Sequence, residues 1–438
     1  MTAPTNDARR LWAFALCGAT QAIIYGLLAF SSRDDAPPGL FVLLSLLAFI
    51  VYLSGLLAAR PLAGRTALVI ALVSGLLFRL LLLPEPPLLS DDYFRYLWDG
   101  LLQTRGINPY RYAPADPALT GLADSLQAQV NHAEVRTIYP PLAQLVFLFA
   151  AATGGGWLTL KAIWLACDVA IAGLLYQLLP AKPRISAWAL YWWSPLVVIE
   201  VAWNAHLDLL GVLLVVATLY SARRTTRPAS ALGVTLGGAT LVKYFAVALL
   251  PSLARGRRPW RLIIAFVLTV LALYLPYISA GRHLFAGLTT YAAHWRFNDG
   301  LFWLLATLTT STVLAKLLAA FVVLFIIFQS ARNEWPLERA AFWLIGAILV
   351  LSPTVHPWYL LWMVPLIALR PNRAWLYLSG SVFLAYYGLG DYWATGVWPE
   401  PCWIKLAIYG PFFVLLVFDA WRGSWWQAYW EQLMSGRG

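Results

Sequence analysis

The chain has 438 residues, 61% of them hydrophobic and 12% charged, with a formal net charge of +11. Soluble domains average about 45–50% apolar and roughly 25% charged residues, so this composition excludes a soluble globular chain, a disordered chain and a nucleic-acid module. What remains is a multi-spanning membrane protein, in which basic residues mark the cytoplasmic ends of helices. The cysteines Cys17, Cys167 and Cys402 offer neither a disulfide framework nor metal-ligand spacing.

A bilayer core about 30 Å thick takes roughly 20 apolar residues per helix, and the runs 11–30, 39–59 and 66–84 meet that length. Arg9 and Arg10 precede the first run, and Arg60 and Arg65 separate the second from the third. The positive-inside bias therefore puts the N-terminus in the cytoplasm and residue 85 outside. No small-residue cleavage site follows the first run cleanly, so it reads as a retained helix. Residues 85–155 read as one long external loop, with 141–153 too short to span and lying at the interface.

Beyond the loop come the basic clusters Lys182/Arg184, Arg223/Arg224/Arg227, Arg255/Arg257/Arg258/Arg261, Arg332/Arg339, Arg370/Arg373 and Arg422. Taken as cytoplasmic, they keep both termini inside. Between the first two clusters, 186–221 makes roughly 54 Å of helix at 1.5 Å per residue, close to two crossings joined by a tight external turn. Between the next two, 229–254 makes only about 39 Å, which is one crossing or a pair of half-helices. Basic residues at both ends favour the pair. The hairpin 338–369 repeats the pattern, with Pro353, His356 and Pro357 at its tip. Hairpins that turn inside the membrane must line a cavity or be buried in protein. The expected fold is an all-α polytopic membrane protein of about 12–14 transmembrane segments, several of them short or re-entrant. The tail 422–438 is Trp-rich and amphipathic and is expected on the inner leaflet.

The polar residues left over, including all five histidines (His132, His206, His283, His294, His356), collect on the outer side of this topology. One-sided clustering fits a single surface site better than a transport path, which would carry ionisable groups at the midplane of paired repeats. Asp168 is the clear example of a mid-helix charge. The densest cluster is Ser90-Asp91-Asp92-Tyr93-Phe94-Arg95-Tyr96-Leu97-Trp98-Asp99-Gly100, followed by Gly106-Ile107-Asn108-Pro109-Tyr110. If 91–104 is helical, Asp92, Arg95 and Asp99 share one face, with Asp91 beside them. That spacing fits a solvated, salt-bridged helix as well as a surface presenting a general base to a substrate hydroxyl.

Asn131-His132 and Tyr139-Pro140-Pro141 close the loop, the prolines imposing an extended entry into the interfacial segment. A third cluster, Glu200, Asn204, His206 and Asp208, stands in otherwise apolar sequence, with helix capping the alternative role for Asn204. Lys243, Arg296 in His294-Trp295-Arg296-Phe297-Asn298, and His356 suit an anion such as a lipid phosphate. Most of the 23 Trp belong to interfacial belts. Those in the outer loops, Trp98, Trp295, Trp358, Trp393 and Trp403, offer flat faces for sugar rings or prenyl chains.

The succession Ser90-Asp91-Asp92-Tyr93, Trp98-Asp99-Gly100, Gly106-x-Asn108-Pro109-Tyr110 and Tyr139-Pro140-Pro141 resembles the first external loop of the GT-C glycosyltransferases. These are multi-pass enzymes that take polyprenyl-phosphate sugars as donors. The loop is most similar to that of the bacterial polyprenol-phosphate-mannose-dependent mannosyltransferases and of the mannosyltransferase of glycosylphosphatidylinositol assembly. The resemblance implies that an acidic residue of this loop is the catalytic base. Asp92 stands directly before a tyrosine, as that residue often does. The family's acidic pairs are commonly separated by one residue, whereas Asp91 and Asp92 are adjacent, which leaves both open. Three helices rather than one precede the loop, so 1–59 reads as an added N-terminal hairpin before a GT-C-like module at 60–421.

The expectation that follows is an inverting transfer of a hexose, with mannose the leading candidate, from a polyprenyl monophosphate to a hydroxyl of a glycan or lipid-linked acceptor. The reaction is expected at the outer face of the plasma (inner) membrane. Asp92 or Asp91 would act as base. Arg95, Asp99, Asn108, Tyr110, His132, Tyr139, Asn204, His206, Asp208, Lys243, His294, Arg296, Asn298 and His356 are the candidate substrate-binding residues. One carboxylate suffices, because a departing phosphate needs no proton, and Arg296, Lys243 and His356 would stabilise its charge. The sequence specifies no cofactor; the converging carboxylates admit a divalent metal, but no ligand spacing specifies one. The alternative reading is a flippase or transporter of lipid-linked sugars.

Overall fold

The computed structural model describes residues 6–31, 37–181, 184–224, 228–255 and 259–421. The amphipathic tail 422–438 and the basic markers Lys182, Arg227, Arg257 and Arg258 lie outside the described residues. Helices α1 (Asn6–Ser31), α2 (Pro38–Ala59) and α3 (Arg65–Leu82) precede the long loop, which carries α4 (Asp92–Thr104), α5 (Asp124–Gln127) and α6 (Pro141–Ala152). Next come α7 (Gly156–Leu178), α8 (Arg184–Trp192), α9 (Pro195–Val197), α10 (Asp208–Ala222), α11 (Ala229–Thr240), α12 (Leu250–Leu253) and α13 (Pro259–Tyr274). The remainder holds α14 (Ala286–His294), α15 (Leu301–Thr309), α16 (Thr312–Arg332), α17 (Leu337–Leu351), α18 (Val364–Leu369), α19 (Arg373–Ser381), α20 (Leu389–Thr395) and α21 (Cys402–Trp421). Among the described residues there is no strand, only an isolated parallel bridge between Phe297 and Thr354.

Eight helical stretches among the described residues are long and apolar enough to cross a membrane: α1, α2, α3, α7, Arg184–Trp203, Pro259–His283, α16 and α21. The protein is an all-helical, multi-pass membrane protein. Shorter apolar helices stand beside these spans, at Asp208–Ala222, Tyr244–Leu253 and Pro357–Leu369 among others. The outermost helices keep large apolar side chains exposed, such as Leu317, Phe321 and Leu324 on α16. Hydrocarbon solvates such a face as well as a protein core does.

Packing glycines settle the path of 229–254. A Cβ at Gly233 would stand 2.2 Å from the Leu262 carbonyl oxygen, and one at Gly237 3.1 Å from Thr269 Cβ. Both glycines therefore let α11 press against α13 along a small-xxx-small face. The order of the contacts makes α11 and α13 parallel, so the chain must return between them. At one end of the bundle Lys243 bonds Asp208, at the start of α10. At the other, Ser252 Oγ lies 2.9 Å from Ser330 Oγ and Arg255 donates to the Trp335 carbonyl at 3.0 Å. Residues 229–254 are therefore a pair of half-helices, broken where Lys243 is extended (φ −149°, ψ 120°). Arg223, at the far end of α10, donates to Glu338 at 2.5 Å and to the Leu178 carbonyl at 2.8 Å. The fifteen residues of α10 set that basic end about 22 Å from Asp208.

Inside the bundle, the mid-helix charge Asp168 of α7 is paired with Arg79 of α3, both fully buried. Arg79 Nε and Nη2 both donate to the carboxylate, and Nη1 donates to the carbonyls of Gly75 and Trp192, each at 2.8 Å. The Tyr191 hydroxyl adds a bond to Asp168 at 2.8 Å, and the guanidinium lies 3.7 Å from the Trp192 ring centroid. Every charge is matched, so the group clamps α3, α7 and α8 together. Removing one partner leaves the other desolvated and unpaired, which costs about 3–5 kcal/mol. Arg79→Met and Asp168→Asn are each expected to lower the thermal midpoint of the detergent-solubilised protein markedly. The double apolar replacement Arg79→Met/Asp168→Leu should recover much of that loss.

Candidate active site

Three hairpin tips converge at one end of the bundle, around Asp208. Its Oδ1 accepts from Lys243 Nζ, at the break between α11 and the return segment, and from Trp362 Nε1 at 2.6 Å. The Lys243 ammonium also stands 3.5 Å from the Tyr359 ring centroid. Trp358 is sandwiched between the imidazoles of His206 and His356, at centroid distances of 3.8 and 4.4 Å. Phe297 stacks on the far face of His356 at 4.5 Å. Four rings from three segments thus form one column. The main chain reinforces it, since Phe297 N–H donates to the Pro353 carbonyl at 3.0 Å and Val355 N–H to the Phe297 carbonyl at 2.8 Å.

The long loop closes over these tips and encloses a cavity of about 890 Å³. Its inner helix, α4, buries Trp98 and Leu102 against Leu119 and Val130, and stacks Tyr96 on Phe147 of α6 at 4.7 Å. That packing turns the first turn of α4 toward the cavity, with Asp92 at the positive end of the helix dipole. Asp91, Asp92, Arg95, His132, Tyr139, Asp208, Lys243, His294, Arg296 and His356 all line the cavity.

The two adjacent carboxylates differ in their partners. Asp91 is held on both oxygens, by Asn131 Nδ2 at 2.6 Å and by the Tyr392 hydroxyl at 2.8 Å. Asp92 has only a long contact from the same Asn131 amide, at 3.4 Å. Burial, and next to it the negative charge of Asp91, pushes the Asp92 carboxyl up to about 7, against the opposing pull of Asn131 and Lys243. Asp92 is thus a carboxylate with free lone pairs, poised to gain or lose a proton near neutrality.

The cations are anchored as well. Arg296 donates twice to Asp299, at 2.9 and 2.5 Å, and Asp299 also accepts from Lys405 at 2.5 Å. Positive charge on this wall is carried by Lys243 and Arg296. His294 Nδ1 lies 3.0 Å from the Thr290 carbonyl. His132, in the left-handed region (φ 47°), sets its ring edge-on to Trp295 at 4.6 Å.

The remaining sequence candidates stand behind the lining. Asp99 accepts from Arg95 Nε at 3.0 Å and from Gln144 Nε2 at 2.8 Å, while Arg95 Nη2 donates to the Val135 carbonyl at 3.0 Å. Asn108 donates to the Tyr277 carbonyl at 2.9 Å and to Ser279 Oγ at 3.0 Å, and the Tyr110 hydroxyl donates to the Tyr139 carbonyl at 2.7 Å. Asn204 accepts from Leu89 N–H at 3.1 Å and donates to Glu200 at 3.2 Å. His206 is fully buried with Nε2 3.3 Å from Glu200. Asn298 receives no cavity contact; its amide donates to the Val355 carbonyl at 3.2 Å. These six fix the walls rather than face the space they enclose.

Asn131, Tyr392, Trp362 and Asp299 join the site without having stood among the sequence candidates. Asn131 carried a signal, as the neighbour of His132 in a polar pair. Tyr392, 301 positions from Asp91, carried none. Among the described residues, no group of three or more His, Cys, Asp or Glu side chains is arranged to hold a metal ion.

Short re-entrant helices around an acidic, aromatic cavity capped by a long first loop define a GT-C-like polytopic membrane protein. Residues 27–256 match the family model described as alpha-(1->6)-mannopyranosyltransferase, N-terminal domain, and 286–387 match the MptB C-terminal domain. The first match alone covers more than half of the chain, which therefore belongs to this mannopyranosyltransferase family. No curated protein and no solved structure matches it.

The partner pattern around the carboxylates predicts their titration. Infrared difference spectra should show a carboxyl band titrating near pH 7 that is lost in Asp92→Asn. Asp91→Asn removes the neighbouring charge and should move that midpoint down, whereas Asn131→Ala removes a donor and should move it up.

Proposed function

We propose that the protein transfers a mannosyl group, with inversion, from a polyprenyl monophosphate to an acceptor hydroxyl at the outer face of the membrane. Family membership supports mannosyl transfer. The observation that carries the mechanism is one lightly bonded carboxylate, Asp92, in a cavity it shares with Lys243 and Arg296. Asp91 is engaged on both oxygens, which favours Asp92 as the base and leaves Asp91 as the fixed charge that keeps it basic.

In this reading, ionised Asp92 accepts the acceptor's hydroxyl proton as the oxygen attacks the anomeric carbon. The bond from that carbon to the phosphate oxygen breaks on the opposite face, and its electron pair leaves with the phosphate. No second acid is needed, because a phosphate departs without a proton. Lys243 and Arg296 are placed to hold the growing negative charge. Asp208 and Asp299 aim those cations, so neither depends on a flexible side chain finding its target. Arg95, His132, Tyr139, His294 and His356 would meet sugar hydroxyls, while Asp99, Asn108, Tyr110, Asn204, His206 and Asn298 act through the walls. The (1->6) linkage in the family's description suggests a primary 6-hydroxyl as the acceptor group.

Charge supports the outer-face reading. Arg184, Arg223 and Arg255 lie at the bundle end away from the cavity, and the positive-inside bias supports reading that end as the cytoplasmic one. The transporter alternative leaned on Asp168, whose charge is fully paired with Arg79.

With a synthetic polyprenyl-phosphate mannose and a mannoside acceptor, kcat/KM should fall tenfold per pH unit below about 7 and level off above it, because only the ionised base reacts. Asp92→Asn is expected to lower kcat by about 10²–10⁴ with donor binding retained. Asp91→Asn should keep the acid limb but move it to lower pH. Full activity in Asp92→Asn contradicts the assignment.

A further inference from the structure

The cavity is larger than the bond-making step requires. At about 890 Å³ it stands near the top of the roughly 300–1,000 Å³ range of small-ligand sites, whereas the reaction unites two sugar rings and a phosphate.

The indoles in its lining are not equivalent. Trp358, 8% exposed, is clamped between two imidazoles. Trp398 donates its N–H to the Ala385 carbonyl at 3.1 Å and meets Phe297 edge-on at 5.3 Å. Trp295 is contacted by His132 at 4.6 Å and Tyr291 at 5.3 Å. Trp393 makes no ring contact or hydrogen bond among the described residues, lines the same cavity, and is 46% exposed. A membrane-belt indole would face lipid, but this one borders a space walled by carboxylates and phenols.

Such a ring leaves apolar area against water that a flat, apolar ligand face would cover. A mannopyranose offers that face, since the axial C–H bonds at C3 and C5 point to the same side and make an apolar patch while the equatorial hydroxyls around the rim stay in water. Placement is favourable too. Trp393 follows Tyr392 on α20, and the Tyr392 hydroxyl holds Asp91. The greater exposure of Trp393 than of Trp358 puts it toward the mouth, where the non-reacting part of an acceptor must lie.

We infer that Trp393 is the platform for the acceptor's second sugar ring, the one next to the ring that receives the mannosyl group. This rests on the transferase reading above.

The test uses the full-length protein in lipid nanodiscs, one polyprenyl-phosphate mannose donor, and two acceptors, octyl α-mannoside and octyl α-(1→6)-dimannoside. The wild type should show the lower KM for the dimannoside. Trp393→Ala should shrink the ratio of the two KM values by about three- to tenfold, the worth of one aromatic contact, and Trp393→Phe should fall between. Equal KM values in the wild type, or a Trp393→Ala rise that is the same for both acceptors, overturns the platform while leaving transfer intact. Transfer to neither acceptor, with the donor still bound, overturns the transferase reading itself.

Discussion

The bond set on Asp208 is the constraint from which the site is built. A helix that breaks within a membrane exposes backbone groups that hydrocarbon does not satisfy, each at a cost of several kcal/mol. Three hairpins break here: at the π-helical turn 198–203, at the extended Lys243, and at the proline-flanked tip before Trp358. They are tolerable because the tips face one another and a polar cavity. Asp208 draws Lys243 from the second hairpin and Trp362 from the third, and the column of stacked rings from His206 to Phe297 fixes their spacing.

The same convergence sets the electrostatics. Lys243, Arg296, Asp91 and Asp208 all arrive with partners already in place, so the cavity presents oriented charge that need not reorganise when a substrate enters. Asp92 is the departure from that rule. It gains basicity from desolvation and, next to that, from its neighbour's charge, and its long contact with Asn131 leaves lone pairs for a substrate. A large part of the chain supports this one asymmetry. The Arg95–Asp99–Gln144 set pins the loop onto α4 and α6, while Asn108, by a hydrogen bond to the Tyr277 carbonyl, and Tyr110, by its edge-on contact with the Tyr277 ring, tie it to the segment after α13.

Much of this was legible in the sequence because it rests on local spacing. The helix carrying Asp92, Arg95 and Asp99 follows from i, i+3, i+7 placement, and the half-helix pair at 229–254 from a length too short for two spans between basic ends. What spacing could not give was the division of labour between Asp91 and Asp92. It depends on Asn131 and Tyr392, which only the folded chain brings together. Asn108, Tyr110, Asn204 and Asn298 drew attention as polar residues in apolar surroundings, a property shared by residues that bind ligands and residues that satisfy backbone groups. Asp168 illustrates the same limit. A charge in mid-helix reads as a transport element until its arginine, on another helix, is located.

The central claim is a single displacement driven by Asp92, and the anomeric configuration of the product tests it most directly. With a polyprenyl-phosphate mannose of defined configuration and an octyl mannoside acceptor, nuclear magnetic resonance of the new glycosidic bond should show the opposite configuration. Retention would contradict the account, because it requires two displacements and a nucleophile bonded to the sugar between them.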